Sequence, residues 1–251
     1  MATPGSSSVT AEPVAAWRPA EVREVVHETP SASTLLLDVQ GWPGHRAGQH
    51  VDVRLTAEDG YQAQRSYSIA SAPEDARLAI TVERLDDGEV SPYLVDDVRA
   101  GDFVEVRGPV GGWFVWDTRD GGPLFLVAGG SGVAPLMAML RHRAAAGSDA
   151  EATLLLSARR PDDVLYVGEL ETLAGVRVEI TYTREAPSGW TGYARRVDRS
   201  MLAEVAPDPE RDPRVFVCGP TGFVEGVAHD LVALGYDPSR IRTERFGATG
   251  G

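Results

Sequence analysis

The chain has 251 residues, more than one compact core usually takes, so its length favours two domains of roughly 100 to 150 residues each over one very large one. Hydrophobic residues make up 43% and charged ones 24%, which excludes a disordered chain. The net charge of -13 argues against a nucleic-acid partner, and the 24 basic residues are all arginine, which excludes a Schiff-base lysine and a Walker-type phosphate loop. The single cysteine, Cys218, excludes an internal disulfide, a Cys-rich zinc site and a four-thiolate iron–sulfur cluster.

Residues 1–16 carry neither a basic leader nor an apolar block and read as a disordered tail of a cytoplasmic protein. No apolar run approaches the roughly 20 residues that span a bilayer, so membrane insertion is not expected. Across residues 17–116, short segments rich in Val, Leu and Thr recur between Gly, Pro and Asp: Glu21–Glu28, Ser33–Val39, His50–Leu55, Arg65–Ala70, Leu78–Arg84 and Phe103–Gly108. Several alternate with period two, as Val51, Val53 and Leu55 do, and six strands at this spacing predict an antiparallel β-barrel. Pro92–Val98 reads as helix, with Ser91 as its N-cap and Pro92 in the first helical position.

Residues 117–122, DTRDGG, are turn formers and read as a linker. From residue 123 the rhythm changes. Apolar runs at Pro123–Ala128, Thr153–Ser157, Val176–Thr181 and Val215–Cys218 alternate with helical stretches, the first at Val133–Ala146, and Ile241–Phe246 closes the series. The pattern predicts an α/β domain over residues 123–251, with a parallel sheet covered on both faces and ligands at the carboxyl ends of its strands.

Four segments carry residue types suited to a bound dinucleotide. Gln64–Ser71, QRSYSIAS, lies on a predicted strand that puts Arg65 and Tyr67 on one face and Ser66 and Ser68 on the other. An arginine can hold a diphosphate bidentately, a tyrosine ring can lie against a planar heterocycle, and a serine can hydrogen-bond a ring nitrogen; an ordinary half-buried strand with a surface arginine fits the octet as well. Gly88-Glu89-Val90-Ser91 stands at the predicted helix start, where free N–H groups suit a phosphate or Ser91 is simply a cap. Gly108–Trp113, GPVGGW, is by itself a turn before an aromatic residue. Val127–Pro135, VAGGSGVAP, sits at a strand-to-helix junction, where glycines let the backbone approach a pyrophosphate. Pro135 takes the place of the last glycine of G-x-G-x-x-G, which disfavours an ordinary NAD-dehydrogenase Rossmann domain.

In this order, from about Trp17 to Gly247, these segments resemble the ferredoxin–NADP reductase superfamily of flavin reductases. The resemblance implies FAD held by Arg65, Ser66, Tyr67 and Ser68, with Arg65 on the diphosphate, Tyr67 stacked on the isoalloxazine and Ser68 beside the hydride-accepting nitrogen. It places Val82 and Arg84 against the ribityl and diphosphate, and Gly88, Val90 and Ser91 at a second diphosphate contact; GPVGGW matches the family's turn, with Trp113 at the aromatic place. NADP(H) or NAD(H) is implied at Gly129, Gly130, Gly132 and Val133. Cys218-Gly219-Pro220 matches a C-G-P segment at the nicotinamide end, with Cys218 shaping the pocket rather than attacking; a small buried hydrophobe is the other reading of this cysteine. Glu244-Arg245-Phe246 matches a Glu-x-aromatic ending, although Gly247–Gly251 run on beyond it, and Phe246 is implied to cover the flavin. Ser68, Cys218, Glu244 and Phe246 are thus the implied catalytic set.

Ser157, Arg159 and Arg160 follow the second strand of the α/β domain, where the adenosine ribose is implied to lie. Arginines there suit the extra phosphate of NADPH, and Asp162 and Asp163 just after weaken that preference. The implied activity is hydride transfer from NAD(P)H to FAD, then electron transfer to a separate redox protein such as a ferredoxin, an oxygenase or a metalloenzyme. A small acceptor (free flavin, a quinone or a ferric chelate) is the alternative, and a non-enzymatic flavin- or nucleotide-binding module is a third reading. With one cysteine, the flavin is the expected sole redox centre and the acceptor is expected to come from outside. Ferredoxins are acidic as a class, so an acidic chain needs a local basic patch to meet one; Arg141 with Arg143, and Arg195, Arg196 and Arg199, are the candidates.

Overall fold

The computed structural model describes residues 16–246, whose strands form two sheets. The first holds β1 (Arg18–Thr29), β2 (Ala32–Val39), β3 (His50–Thr56), β4 (Gln62–Ser68), β5 (Leu78–Glu83) and β6 (Phe103–Val110). Their order is β4-β3-β6-β1-β2-β5 with antiparallel neighbours throughout. The edge strands β4 and β5 come together at a bridge between Ile69 and Ile80, and the Ala70 N–H donates to the Ala79 carbonyl at 2.8 Å, so the sheet curls into the expected six-stranded barrel. Alternation does the sorting. On β3, Val51 and Val53 enter the barrel core, while His50 and Asp52 face outward.

The helix expected over Pro92–Val98 is a five-residue π-type turn, Tyr93–Asp97, and Ser91 does not cap it. Residues 88–91 fold back over Leu85, and the Ser91 hydroxyl accepts the Leu85 N–H at 3.0 Å instead. A turn this short lacks the aligned peptide dipoles of a full helix. The turn formers at 117–122 make a 3-10 turn at Thr118–Asp120: Asp117 accepts the Arg119 N–H, and Asp120 accepts the Asp117 N–H.

The second sheet holds β7 (Leu124–Gly129), β8 (Ala152–Ala158), β9 (Val176–Tyr182), β10 (Arg214–Pro220) and β11 (Ile241–Phe246), all parallel, in the order β11-β10-β7-β8-β9. Helices α1 (Val133–Ala145), α2 (Val167–Leu170), α3 (Arg199–Val205) and α4 (Thr221–Ala233) connect them. Strand β7 is buried along its whole length because both faces are covered. Leu124, Leu126 and Ala128 pack with Leu136 and Met137 of α1; Phe125 and Val127 pack with Leu202 of α3 and Leu231 of α4. The α1-side core runs on into Ala47, Ala70, Phe114 and Trp116, so barrel and sheet share apolar packing. From β7 the chain moves outward one way through β8 and β9, then returns to the other side for β10 and β11. The strand order therefore reverses between β7 and β10, the place where open α/β sheets bind ligands.

Candidate functional site

On β4, Arg65 and Tyr67 lie opposite Val53 and Val51, while Ser66 and Ser68 lie opposite Asp52 and His50 on the outer face, so the expected split between faces is present. Ser66 donates to Asp52 Oδ1 at 2.6 Å, and Asp52 Oδ2 accepts from Arg107 at 2.7 Å. These contacts hold the Asp52 carboxyl below its usual range against the opposing effect of burial. Tyr67 packs against the barrel core, and burial pushes its hydroxyl up. Arg65 pairs with Glu89 Oε2 at 3.0 Å, and the Tyr61 hydroxyl donates to Glu89 Oε1 at 2.6 Å. Glu89, which carries no motif signal, thus draws Arg65 of β4 to the Gly88–Ser91 segment. Val82, Val90 and Ser91 are buried there, and Arg84 is held by Asp96 at 2.7 Å and by Asp86.

The glycines gather at the reversal point. A side chain on Gly132 would overlap the Cys218 carbonyl, so only glycine lets this loop lie against β10. Gly130 adopts a φ of 57° with open space around it, which suits a backbone offered to a ligand. Gly129 and Gly219 close the two sides of the crevice, with the Phe223 ring against both. Val133 begins the thirteen-residue α1 directly after this loop, and its N–H bonds back to the Gly130 and Ser131 carbonyls. The open backbone at Gly130 is of the kind that can receive a pyrophosphate without a lysine. Ser157 lies beside Gly129 in register, and Pro220 opens α4 at the surface. Arg159 and Arg160 are exposed; Arg160 is 3.8 Å from Glu185 Oε2, a carboxylate delivered by the loop after β9.

Cys218 and Glu244 are register partners on β10 and β11, followed by Gly219 with Arg245 and Pro220 with Phe246. Glu244 Oε1 is 3.7 Å from Nδ1 of His50 on barrel strand β3. Its other oxygen, Oε2, is the one buried side-chain nitrogen or oxygen among the described residues without a hydrogen-bond partner. Burial raises the Glu244 carboxyl to about 7 and lowers His50 from the usual imidazole value. Burial, and secondarily the Glu244 charge, push the Cys218 thiol well up, so the sulfur stays protonated and is a poor nucleophile. Phe246 packs against the shared core, and Gly247–Gly251 lie outside the described residues, as do residues 1–15 of the expected tail.

The structure brings His50, which sequence reasoning did not select, opposite Ser68 in the β3–β4 register and within 3.7 Å of Glu244, itself the register partner of Cys218. For His50 the one signal was its position opposite Ser68 in that register. The candidate basic patches are largely neutralised by their own neighbours: Arg141 pairs with Glu169, Arg195 with Asp198 and Arg199 with Asp230, while Arg143 is buried on the carbonyls of Ala150, Ala174 and Gly175.

A barrel joined to a parallel sheet with a glycine-lined reversal point defines a two-domain, nucleotide-binding class of protein. Residues 21–115 match an oxidoreductase FAD-binding domain and residues 126–229 an oxidoreductase NAD-binding domain. Over 238 residues the chain is 34% identical to ferredoxin–NADP reductase B of Sorangium cellulosum, covering 90% of this chain and 91% of that one. Over 212 residues it is 36% identical to the glycine betaine monooxygenase reductase subunit of Pseudomonas aeruginosa, covering 81% of this chain but 57% of that longer protein. The FAD/NAD-binding domain of a nitric oxide dioxygenase from Vibrio cholerae superposes with a TM-score of 0.82 at 27% identity, covering 92% of this chain and 99% of that one. The chain belongs to the ferredoxin–NADP reductase superfamily of FAD- and NAD(P)-binding oxidoreductases.

Proposed function

We propose that this chain is an NAD(P)H-dependent flavoprotein reductase that passes electrons to a separate redox protein, a reading supported by a relative named as the reductase subunit of a glycine betaine monooxygenase. The observation that carries the reading is the 3.7 Å approach of His50 to Glu244, where the outer face of the barrel meets the glycine-lined end of the parallel sheet. Nucleotides held by the two domains have one seam in common. Bound there, NAD(P)H supplies a hydride, and FAD accepts two electrons and can release them singly.

The residues divide the work. Arg65, Val82, Arg84, Gly88, Val90 and Ser91 would hold the FAD diphosphate and ribityl, which requires Arg65 to share its guanidinium with Glu89 or leave it. Tyr67 and Ser68 would meet the isoalloxazine. Ser66 would contribute its main chain, since its hydroxyl is occupied by Asp52. Gly129, Gly130, Gly132 and Val133 would receive the pyrophosphate of NAD(P)H, Cys218, Gly219 and Pro220 would wall the nicotinamide end, and Phe246 would cover the approach. Ser157 and Arg159 would face the adenosine ribose; Arg160 is shared with Glu185, so a preference for NADPH rests mainly on Arg159. The reading divides the chain at residues 117–122 and includes a cytoplasmic location, where NAD(P)H is supplied.

The test is the visible spectrum of the purified protein after reconstitution with FAD. Anaerobic NADPH should bleach the bound flavin, and an oxygenase or ferredoxin-type acceptor should restore its colour. A protein that takes up no FAD, or a bound flavin that neither nicotinamide bleaches, would sink the reading. A kcat/KM for NADH equal to or above that for NADPH removes the NADPH preference alone.

A further inference from the structure

We infer that Glu89 sets the flavin affinity of this chain: its carboxylate, steadied by the Tyr61 hydroxyl, competes with the diphosphate of FAD for the guanidinium of Arg65. The inference rests on the flavin reading proposed above and adds to it a residue that acts against binding.

The competition follows from how few partners Arg65 has. Its Nη1 donates to the carbonyl of Gln64 at 2.7 Å on its own strand, and its Nη2 donates to Glu89 Oε2 at 3.0 Å. Among the described residues Glu89 is its sole ion-pair partner. Arg84, the other arginine of this corner, is engaged by both Asp86 and Asp96 and has less to offer an anion. Glu89 is committed on both sides: Oε2 takes the arginine, and Oε1 takes the hydroxyl of Tyr61 at 2.6 Å. Tyr61 stands just before β4, four residues from Arg65, so one stretch of chain supplies both groups that grip the carboxylate. These contacts, the Tyr61 hydroxyl first and then Arg65, hold the Glu89 carboxyl below the usual carboxylate range, and it meets a diphosphate as an anion.

The backbone beneath Glu89 is fixed while its side chain is free to turn. The Gly88 N–H donates to the Leu85 carbonyl at 2.9 Å, the Leu85 N–H donates to Ser91 Oγ at 3.0 Å, and Val90 is fully buried, so both ends of this short turn are tied down. The two charged side chains are about half exposed, Glu89 at 49% and Arg65 at 52%. An ion pair this open contributes little to stability, and rotation of the Glu89 side chain releases the guanidinium without moving the turn. Release does not remove the charge. The carboxylate stays tethered beside the diphosphate, and a single charge roughly 6 Å from a doubly charged group in water weakens its binding about tenfold. Every anion drawn to Arg65 meets this penalty; FAD offsets it with ring and ribityl contacts that a free phosphate lacks.

The experiment titrates the flavin-free full chain with FAD and with riboflavin, which has no phosphate, and reads the dissociation constants from flavin fluorescence. At low salt Glu89→Gln should bind FAD about tenfold more tightly than the wild type, with riboflavin unchanged within about twofold, and the FAD gain should shrink in about 0.5 M salt. Tyr61→Phe, which loosens the carboxylate from Arg65, should tighten FAD about twofold in the wild type and have no effect in Glu89→Gln, as expected of a residue that acts through Glu89. FAD bound no more tightly by Glu89→Gln, or an equal gain for riboflavin, overturns the inference; a Tyr61→Phe effect that persists in Glu89→Gln overturns the part given to Tyr61. If neither protein takes up FAD or riboflavin, the flavin reading falls instead, and inorganic pyrophosphate followed by calorimetry decides the competition for Arg65. Glu89→Gln should then hold pyrophosphate more tightly than the wild type, with the difference abolished by Arg65→Ala, and equal affinities overturn the inference.

Discussion

Among the polar groups by which barrel and parallel sheet touch, two sets are built in opposite ways. In the first, the Tyr166 hydroxyl bonds Thr81, its N–H donates to Glu28 at 3.2 Å, Arg141 reaches the Ala70 carbonyl at 2.7 Å while pairing with Glu169, and His142 meets Glu74 at 2.8 Å. Burial pushes the Tyr166 hydroxyl up to about 12, so it remains a hydrogen-bond donor at every working pH. In the second, Glu244 has one oxygen with no partner and another 3.7 Å from an imidazole. Buried polar groups are ordinarily matched, and an unmatched one needs a reason other than stability. The fully bonded set joins the domains; the unmatched carboxyl, kept at a cost to stability, is where the proposed chemistry would be done.

That contrast can be sharpened by substitution. The largest effect is expected for Glu244→Gln, which should slow flavin reduction about 100-fold in rapid mixing while leaving flavin binding intact. The same change should stabilise the protein at alkaline pH. The folded carboxyl titrates near 7 and the unfolded one near 4.5, so the folded state binds the extra proton between them. Wild-type stability should therefore fall as pH rises from 4.5 through about 7 and then level off, a loss the glutamine variant escapes. Urea unfolding should give coincident curves below 4.5 and a gap of up to about 3 kcal/mol above 7. On the bonded side, Arg141→Ala should cost about 2 kcal/mol in urea unfolding, with the activity of the folded fraction little changed. Tyr166→Phe should cost about 1 kcal/mol. The smallest response is expected at Cys218, whose buried, protonated thiol should resist labelling by a thiol reagent until the protein is unfolded.

Much of this was open to reading along the chain, because alternation and burial are local. Val51 and Val53 announce a half-buried strand, the unbroken apolar run of β7 announces one covered on both faces, and glycines in VAGGSGVAP announce a close backbone approach. What the chain order hides is pairing across distance. Ser91 sits where an N-cap belongs, yet its hydroxyl turns back to Leu85. Arg160 is met by Glu185, a carboxylate brought by the next strand's loop rather than by Asp162 or Asp163. His50 carries no motif and acquires its place only when β3 pairs with β4 and the second domain lays β11 alongside.

The most direct measurement is anaerobic rapid-mixing reduction of FAD-loaded protein by NADPH, run on the wild type, Glu244→Gln and Tyr166→Phe together with their urea midpoints. The expected result is a separation: Glu244→Gln is slowed about 100-fold with no loss of stability, and Tyr166→Phe is less stable but reduced at the wild-type rate. Reduction of Glu244→Gln at the wild-type rate, or an equal slowing in both variants, would contradict the division between a seam that holds and a seam that reacts.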